Sequence, residues 1–189
     1  MDNKDPLREL LWGIREGRLD VEEGLNRLRD MPFLDIGHTK IDLHRSLRNG
    51  FPEVIYAEGK TPEQVADIFQ EMQRRGNVLA TRVSATAAEQ VTARCPDARY
   101  NPIGRTLTHI RDEIDYRAGE VAIITAGTSD LAVAEEARVT CGMLGSRAKI
   151  LSDVGVAGIH RLFHRLEEIR DASVIIVVAG MEGALASVV

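Results

Sequence analysis

Aromatic residues, cysteines and long apolar runs are all scarce in this sequence, and each scarcity excludes a class of protein. Aromatics make up 4% of the 189 residues, so we expect an aliphatic core. The two cysteines, Cys95 and Cys141, are too few for a disulfide framework, which favours a reducing, cytoplasmic location. The longest apolar run, 174–179, is far too short to cross a bilayer, and the N-terminus has no signal-peptide stretch. We therefore expect no membrane association.

Positive charge is not in excess either. The formal net charge is −5, whereas a surface that binds nucleic acid would be basic, so we expect no nucleic-acid partner. Hydrophobic residues make up 44% of the chain, which is enough for a substantial core. The length fits one domain of ordinary size or two small ones.

The pattern along the chain predicts three parts. Residues 1–34 carry two amphipathic stretches, typical of a helical hairpin that serves packing or oligomerisation rather than catalysis. Residues 37–118 predict a small α/β domain. Its helices begin after Thr61 and Ser84. A polar stretch that ends in Ala-Gly precedes residues 119–189, where the third part begins.

The second part contains one clear strand signal, at 78–83, and two turn signals. Proline follows Cys95 and again follows Asn101, so we expect turns at these two points. Before them, Arg45 and Arg48 lie in a charged segment. They fit either contacts to an anionic ligand or a solvated surface, and the pattern does not rank the two.

The third part repeats one order of elements: an apolar run, a Gly-rich turn and a helix. The runs are 121–124, 148–151 and 174–178, and the turns are 125–130, 153–160 and 179–184. This order is typical of a parallel sheet with helices on both faces, that is, a three-layer α/β domain. We expect one helix after Gly158, with Ile159, Leu162, Phe163, Leu166 and Ile169 on one face. Since three strands are few for this architecture, we expect the C-terminal part of the sheet to be missing from a truncated chain.

Ligands of such sheets bind at the carboxyl ends of the strands, where the Gly-rich turns meet. We therefore expect Asp130, His160 and Glu182 to converge there as catalytic residues. A helix N-terminus favours the neutral imidazole of His160, which suits proton transfer near pH 7. Glu182, between two glycines, suits a base or a ligand of Mg²⁺. His164 is discounted as a metal partner of His160 because it is predicted on the solvent side.

Around these residues the same three turns predict a substrate-binding set. Its members are Gly127, Thr128, Ser129, Asp153, Gly155, Gly158, Arg161, Gly180, Met181 and Gly183. Glycine lets a backbone approach a ligand closely, and hydroxyls and amides suit phosphate oxygens. The Arg161 guanidinium suits either a phosphate or a carboxylate. The pattern leaves alternatives open, because 125–130 also fits an ordinary capped turn and His160 also fits a histidine bound to backbone.

Several stretches together resemble the LarB family, which acts in the biosynthesis of the nickel-pincer cofactor. They are 48–56, 125–130, 133–136, 153–163 and 178–189. The second half is also similar to aminoimidazole ribonucleotide carboxylase (PurE), on Gly127–Asp130 and Ile159–Arg161. The resemblance covers nearly the whole chain and implies a flavodoxin-like or PurE-like fold in the C-terminal half.

The LarB resemblance implies an enzyme that carboxylates the pyridinium ring of nicotinic acid adenine dinucleotide with CO₂. The same enzyme hydrolyses the phosphoanhydride, giving pyridinium-3,5-biscarboxylic acid mononucleotide and AMP. It further implies Mg²⁺ without an organic cofactor, and a homo-oligomer, since relatives of the second half form octamers. Gly127–Asp130 and Gly155–Gly158 would hold the mononucleotide, and His160 or Glu182 would handle the proton.

The chain departs from the family at its nucleophile. The family's cysteine lies downstream of Val189, and neither Cys95 nor Cys141 matches it. We therefore expect these 189 residues by themselves not to turn over. Two alternatives remain: a carboxylase or mutase acting on aminoimidazole ribonucleotide, and a non-catalytic nucleotide-binding module.

Overall fold

A computed structural model describes residues 6–29, 33–42, 45 and 50–189. The hypothesis on Arg48 concerns a residue outside this described set, while the Arg45 side chain is exposed. By contact density the chain divides into two compact units, residues 1–53 and residues 54–189. The boundary predicted near residue 118 stays a prediction.

The first unit contains the predicted helical hairpin. Helices α1 (Pro6–Arg15) and α2 (Val21–Arg29) pack together, and a two-stranded antiparallel sheet follows, β1 (Leu34–Asp35) with β2 (Lys40–Ile41). The Asp20 carboxylate accepts the Glu23 N–H at 2.7 Å, which caps α2. The role predicted for the hairpin, packing or oligomerisation, stays a prediction.

The first half of the second unit is a small α/β layer. Its elements are β3 (Ile55–Tyr56), α3 (Pro62–Gln73), β4 (Val78–Thr81), α4 (Ala85–Arg94), β5 (Arg99–Asn101) and β6 (Thr106–His109). The strand order is β3-β4-β6-β5; β3 and β4 are parallel, and the other two pairs are antiparallel. Helix α3 buries Val65, Phe69 and Met72.

Local signals explain where these elements begin. Thr61 and Gln64 form a reciprocal capping box at the start of α3, and the Ser84 hydroxyl accepts the Ala87 N–H at 3.2 Å. The predicted strand at 78–83 ends earlier, at Thr81. Strands β5 and β6 were missed: the turn predicted near 101–102 joins them in a hairpin, in which β6 pairs with β4 and β5 pairs with β6.

The second half of this unit is a parallel sheet. Its elements are β7 (Glu120–Thr125), α5 (Leu131–Met143), β8 (Arg147–Leu151), α6 (Ile159–His164), α7 (Leu166–Arg170) and β9 (Val174–Val178). The strand order is β8-β7-β9 with both pairs parallel, and Ile123 of β7 lies opposite Ile150 and Ile176. The three predicted strands are therefore present at the expected places.

Both faces of this sheet are covered, which makes three layers. On one face, Ile123 and Ala134 pack in a cluster that includes α5. On the other face, Ile124, Leu162 and Leu185 belong to a second cluster with α6 and α7. The predicted fold class, α/β with a three-layer parallel sheet of the flavodoxin or PurE type, is confirmed.

The prediction of one continuous helix after Gly158 is wrong in detail. The helix breaks at Arg165 into α6 and α7, and Phe163 is 58% exposed rather than buried. A helix of six residues makes fewer than two turns and buries only one narrow stripe, here Leu162. Among the described helices, none has the length and apolar character needed to cross a membrane.

Candidate functional site

Three loops lie at the carboxyl edge of the parallel sheet: loop 1 (126–130), loop 2 (152–158) and loop 3 (179–183). Backbone hydrogen bonds join the starts of these loops. Val154 N–H donates to Thr125 O at 3.0 Å, and Gly155 N–H donates to Ala126 O at 3.0 Å. Ala126 N–H donates to Val178 O at 3.2 Å, so loop 1 is tied to both neighbours. The convergence of the three Gly-rich turns at one edge follows from this arrangement.

Loop 1 holds itself together through Asp130. The Gly127 N–H donates to Asp130 Oδ2 at 2.9 Å across a 3-10 turn of Thr128–Asp130. Asp130 occupies the N-cap position of α5, but its carboxylate makes no capping hydrogen bond to that helix because it accepts the Gly127 N–H instead. Thr128 and Ser129 are exposed at the rim.

An ion pair joins Asp153 of loop 2 to Arg161 of α6; the sequence fitted Arg161 to a phosphate or a carboxylate but did not indicate Asp153 as the partner. Arg161 Nη1 lies 2.5 Å from Asp153 Oδ2. Asp153 has φ 60°, a left-handed conformation that is uncommon for residues other than glycine. A Cβ at Gly158 would lie 2.6 Å from Arg161 Nε, so glycine allows the guanidinium to lie against the backbone here.

The Nε atom of this arginine is itself informative. It is buried and has no hydrogen-bond partner among the described residues. A buried N–H donor without an acceptor costs free energy, about 1–3 kcal/mol, unless another molecule supplies an oxygen. The first turn of α6, beside loop 2, therefore carries an unsatisfied donor within a cationic group.

The glycines of the three loops fall into two kinds. A Cβ at Gly155 would lie 2.6 Å from Ala126 O, so packing of loop 2 on loop 1 requires glycine there. At Gly127 the nearest atom to such a Cβ is Ser129 Oγ at 3.8 Å, and at Gly180 no described atom lies within 4 Å. Their φ values lie outside the left-handed region too, so neither packing nor conformation requires glycine at these two positions.

Loop 3 is strained and exposed. Met181 has φ 52° and a fully exposed side chain, and Gly183 has φ 67°. Leu185, which is 1% exposed, anchors the 3-10 turn Ala184–Ser187 in the core, where the pattern predicted the first turns of an α-helix. Glu182 is exposed between the strained Met181 and Gly183. Non-glycine residues in this conformation cluster at functional sites.

The candidate catalytic residues share this edge without contacting one another. Asp130 is half-buried in loop 1, His160 is exposed in the first turn of α6, and Glu182 is exposed in loop 3. Within the described part of the chain, no hydrogen bond or ion pair joins these three side chains, and no group of three His, Cys, Asp or Glu could hold a metal alone. Their catalytic roles stay predictions.

Neither cysteine is an activated thiol. Burial raises the pKa of Cys95 and of Cys141, so both favour the protonated form at neutral pH. Cys95 is buried, and Cys141 is partly buried against the cluster on the α5 face of the sheet.

A second charged cluster was not predicted. Arg82, directly after β4, forms a two-point ion pair with Glu136 on α5, with Nε at 2.9 and 2.8 Å from the two carboxylate oxygens. The partners are 54 positions apart, so no local pattern links them. The sequence offered one signal for Arg82: it follows the end of a strand, β4, just as Asp130 follows the end of β7.

Comparisons with known proteins place the chain in a family. The family model of the LarB/PurE-like N-terminal domain matches residues 33–112, which lie before the three loops. An uncharacterised protein of the archaeon Methanocaldococcus jannaschii is 35% identical over 193 residues, a match that covers 97% of this chain and 75% of that protein. The second match extends over the loops as well. The chain therefore belongs to the LarB family, which is carboxylase-related.

Proposed function

We propose that the protein carboxylates the pyridinium ring of nicotinic acid adenine dinucleotide with CO₂ and hydrolyses its phosphoanhydride. The products are pyridinium-3,5-biscarboxylic acid mononucleotide and AMP. Family membership supports a carboxylase-type role. The structural observation that supports the proposal is the free space beside Gly127 and Gly180. A side chain would fit at both positions, so the protein's own packing does not require glycine there. A ligand that lies against the backbone explains both glycines.

Loops 1 and 2 are suited to the mononucleotide phosphate and ribose. Thr128 and Ser129 are exposed and offer hydroxyls and amides at the start of α5, where the helix dipole favours an anion. The unsatisfied Nε of Arg161 offers a further donor, held in place by Asp153 and by the absence of a side chain at Gly158. In this proposal the phosphate lies between the two loops.

The ring chemistry needs a nucleophile and a base. A pyridinium ring is electron-poor and cannot attack CO₂ until a thiolate adds to it and leaves an enamine-like carbon. That carbon then forms the new C–C bond, a base takes the ring proton, and the thiolate departs with the ring electrons restored. The family resemblance implies a cysteine other than Cys95 and Cys141 as the nucleophile, and we assign the thiolate to it. Neither Cys95 nor Cys141 lies in the three loops, and burial raises the pKa of both, which disfavours their thiolate forms. His160 or Glu182 takes the proton.

Divalent metal would act on the diphosphate. Mg²⁺ is commonly held by one or two carboxylates together with substrate phosphates, and it stabilises negative charge that develops on the phosphoryl oxygens. Asp130 and Glu182 fit this role, because neither is paired with a cationic side chain in the described chain, unlike Asp153. We also propose a homo-oligomer, because β9 is an edge strand with Val174 and Ile175 exposed.

The test is an assay of the full-length protein with nicotinic acid adenine dinucleotide, Mg²⁺ and ¹³C-labelled bicarbonate. Mass spectrometry should show equal amounts of AMP and a mononucleotide that carries one labelled carboxyl group. Glu182→Gln and Asp130→Asn should each lower kcat/KM at least a hundredfold, if each acts on charge in the transition state. Glu167→Gln, an exposed residue on α7, is the matched control and should leave the rate unchanged.

The same assay separates the alternatives. Carboxylation of aminoimidazole ribonucleotide, without activity on the dinucleotide, would replace the proposal by a purine-type carboxylase. Absence of label and of AMP with either substrate, in a protein that still binds the dinucleotide by calorimetry, would indicate a binding module.

A further inference from the structure

The strand ends of the small α/β layer meet the helix that begins at loop 1. β3 and β4 are parallel, so Tyr56 and Arg82 come at the same edge of their sheet. Helix α5 follows loop 1 directly at Leu131, and Glu135 and Glu136 lie in its second turn. At 1.5 Å per residue, these two acids are about 8 Å along the helix from Asp130. A contact at Glu135 or Glu136 is therefore close enough to set the position of loop 1.

Three contacts meet at that turn, from Arg82, Asn101 and Gly104 to Glu135 and Glu136. These five residues, with Arg105, which contacts Arg82, are called the α5 joint. Arg82 bonds both oxygens of Glu136, and Asn101 Nδ2 donates to Glu135 Oε1 at 2.6 Å. A Cβ at Gly104 would lie 2.9 Å from the Glu136 nitrogen, so the hairpin loop touches the helix backbone. The contacts of the α5 joint to α5 thus involve both side chains and backbone.

The backbone of the joint is held in an unusual conformation. Arg82 and Arg105 have φ 57° and 49°, and Arg105 Nη2 donates to Arg82 O at 3.2 Å. Val83 N–H in turn donates to Arg105 O at 2.8 Å. Left-handed arginines cost free energy, and in this conformation the Nε of Arg82 reaches both carboxylate oxygens of Glu136.

The ion pair is also partly shielded from water. The Glu136 side chain is 17% exposed and that of Arg82 is 37% exposed. A second carboxylate, Glu58, lies 3.9 Å from Arg82 and accepts a hydrogen bond from the Tyr56 hydroxyl. Arg82 is therefore held on two sides, with the stronger geometry toward α5.

We infer that Arg82 is a positioning residue: its ion pair with Glu136 fixes the second turn of α5 and thereby the geometry of loop 1. Through this link the small α/β layer supports the site formed by the parallel sheet, although it contributes no group to the three loops. The link does not depend on the identity of the ligand. Its consequence for turnover rests on the proposed function.

The test compares Arg82→Gln, Glu136→Gln and the double variant by hydrogen exchange of the full chain. Each single variant should raise the exchange rate of the peptide covering 127–138 about tenfold, because a charge-assisted pair is lost. In the double variant the exchange rate of this peptide should be no higher than in either single variant, because all three variants remove the same interaction. Arg74→Gln, which breaks the Glu71 pair on α3, is the control and should leave this peptide unchanged.

The amides of β7 distinguish positioning from general stability. Exchange at 121–124 should stay as in the unmodified protein. Unchanged exchange at 127–138 in Arg82→Gln, or a parallel rise in β7, would overturn the inference.

A kinetic measurement then tests whether the Arg82–Glu136 ion pair affects substrate binding at the three loops. In the full-length protein, Arg82→Gln should raise KM for the dinucleotide about tenfold, and Arg82→Lys should recover part of the loss, because displaced binding groups lose affinity. A wild-type protein without turnover would contradict the proposed function, yet the exchange result would still decide the role of Arg82. If Arg82→Gln turns over with an unaltered KM, this result would contradict the inferred effect of Arg82 on the three loops.

Discussion

Gly155 lies where loop 2 crosses the backbone of loop 1, and its hydrogen atom takes the place that a side chain would need. Its N–H bonds the Ala126 carbonyl, and a Cβ would approach the same oxygen to 2.6 Å. A backbone oxygen inside a bonded turn cannot swing aside as a flexible side chain can. The separation between loops 1 and 2 is therefore set by the absence of a single methyl group.

Replacement of this residue should consequently destabilise the protein. We expect Gly155→Ala to lower the free energy of unfolding by about 2 kcal/mol, the usual cost of overpacking. Gly142→Ala is the control: it lies in the last turn of α5 with no described atom within 4 Å of a Cβ, and should add about 0.5–1 kcal/mol through helix propensity. Urea denaturation of both variants measures the difference, and equal effects would contradict the packing argument.

At the scale of secondary structure, α5 links the two layers of the second unit. Its Glu135 accepts two hydrogen bonds from Arg138 one turn later, at 2.7 and 2.6 Å, and a third from Asn101 of β5. The Arg138 guanidinium lowers the pKa of Glu135 below its ordinary value, although partial burial opposes this. The helix is thus held by a carboxylate that must be ionised to make its contacts.

The lowered pKa makes a pH-dependent contribution to stability. Because the folded state holds Glu135 ionised, its contribution is complete above the ordinary pKa of 4.5 and is lost as the pH falls through the lower folded value. At pH 7 we expect Glu135→Gln to cost about 1 kcal/mol, and this cost should shrink toward zero below pH 4.5. Thermal unfolding between pH 7 and pH 3 measures it.

Arg138→Met breaks the same pair from the other side and should show the same decline with acid. A difference from wild type that stays constant over the whole pH range, in both variants, would mean that the pair does not contribute to stability.

At the scale of the whole second unit, Asn77 ties the start of the segment between the two sheets to β4. Asn77 Nδ2 donates to Asp112 O at 2.9 Å, and its Oδ1 accepts the Arg111 and Asp112 N–H groups at 2.8 and 2.9 Å. Arg111 also reaches Arg74 O at 2.5 Å. The segment 110–119, which has no strand or helix of its own, is thus tied to the start of β4.

Loss of that side chain should free the segment locally. We expect Asn77→Ala to speed native-state trypsin cleavage at Arg111 and Arg117 about tenfold, because cleavage follows the population of locally open forms. Asn77→Asp keeps the acceptor and loses the donor, so its rate should lie between the two. A cleavage rate equal to that of wild type in Asn77→Ala would show that the three hydrogen bonds do not restrain the segment.

Local signals were sufficient for much of the fold. The runs that became β7, β8 and β9 are continuous and apolar, and Thr61 and Ser84 are strong helix starts, so their elements follow from short-range chemistry. Strands β5 and β6 were missed because three or four residues next to a proline turn carry little signal. Strand β6 pairs with β4, about thirty residues earlier in the chain, and β5 pairs with β6. A short window of sequence does not contain the β4 partner.

The sequence alone was enough to determine the α/β class, the order of elements and the gathering of three Gly-rich loops at one edge, because parallel strands place their carboxyl ends together. Tertiary structure decided the rest. It paired Asp153 with Arg161 and Arg82 with Glu136. It also showed that packing requires glycine at 155 and does not require it at 127. Distances of a few ångströms between residues far apart in the chain set these outcomes, and only the folded backbone fixes such distances.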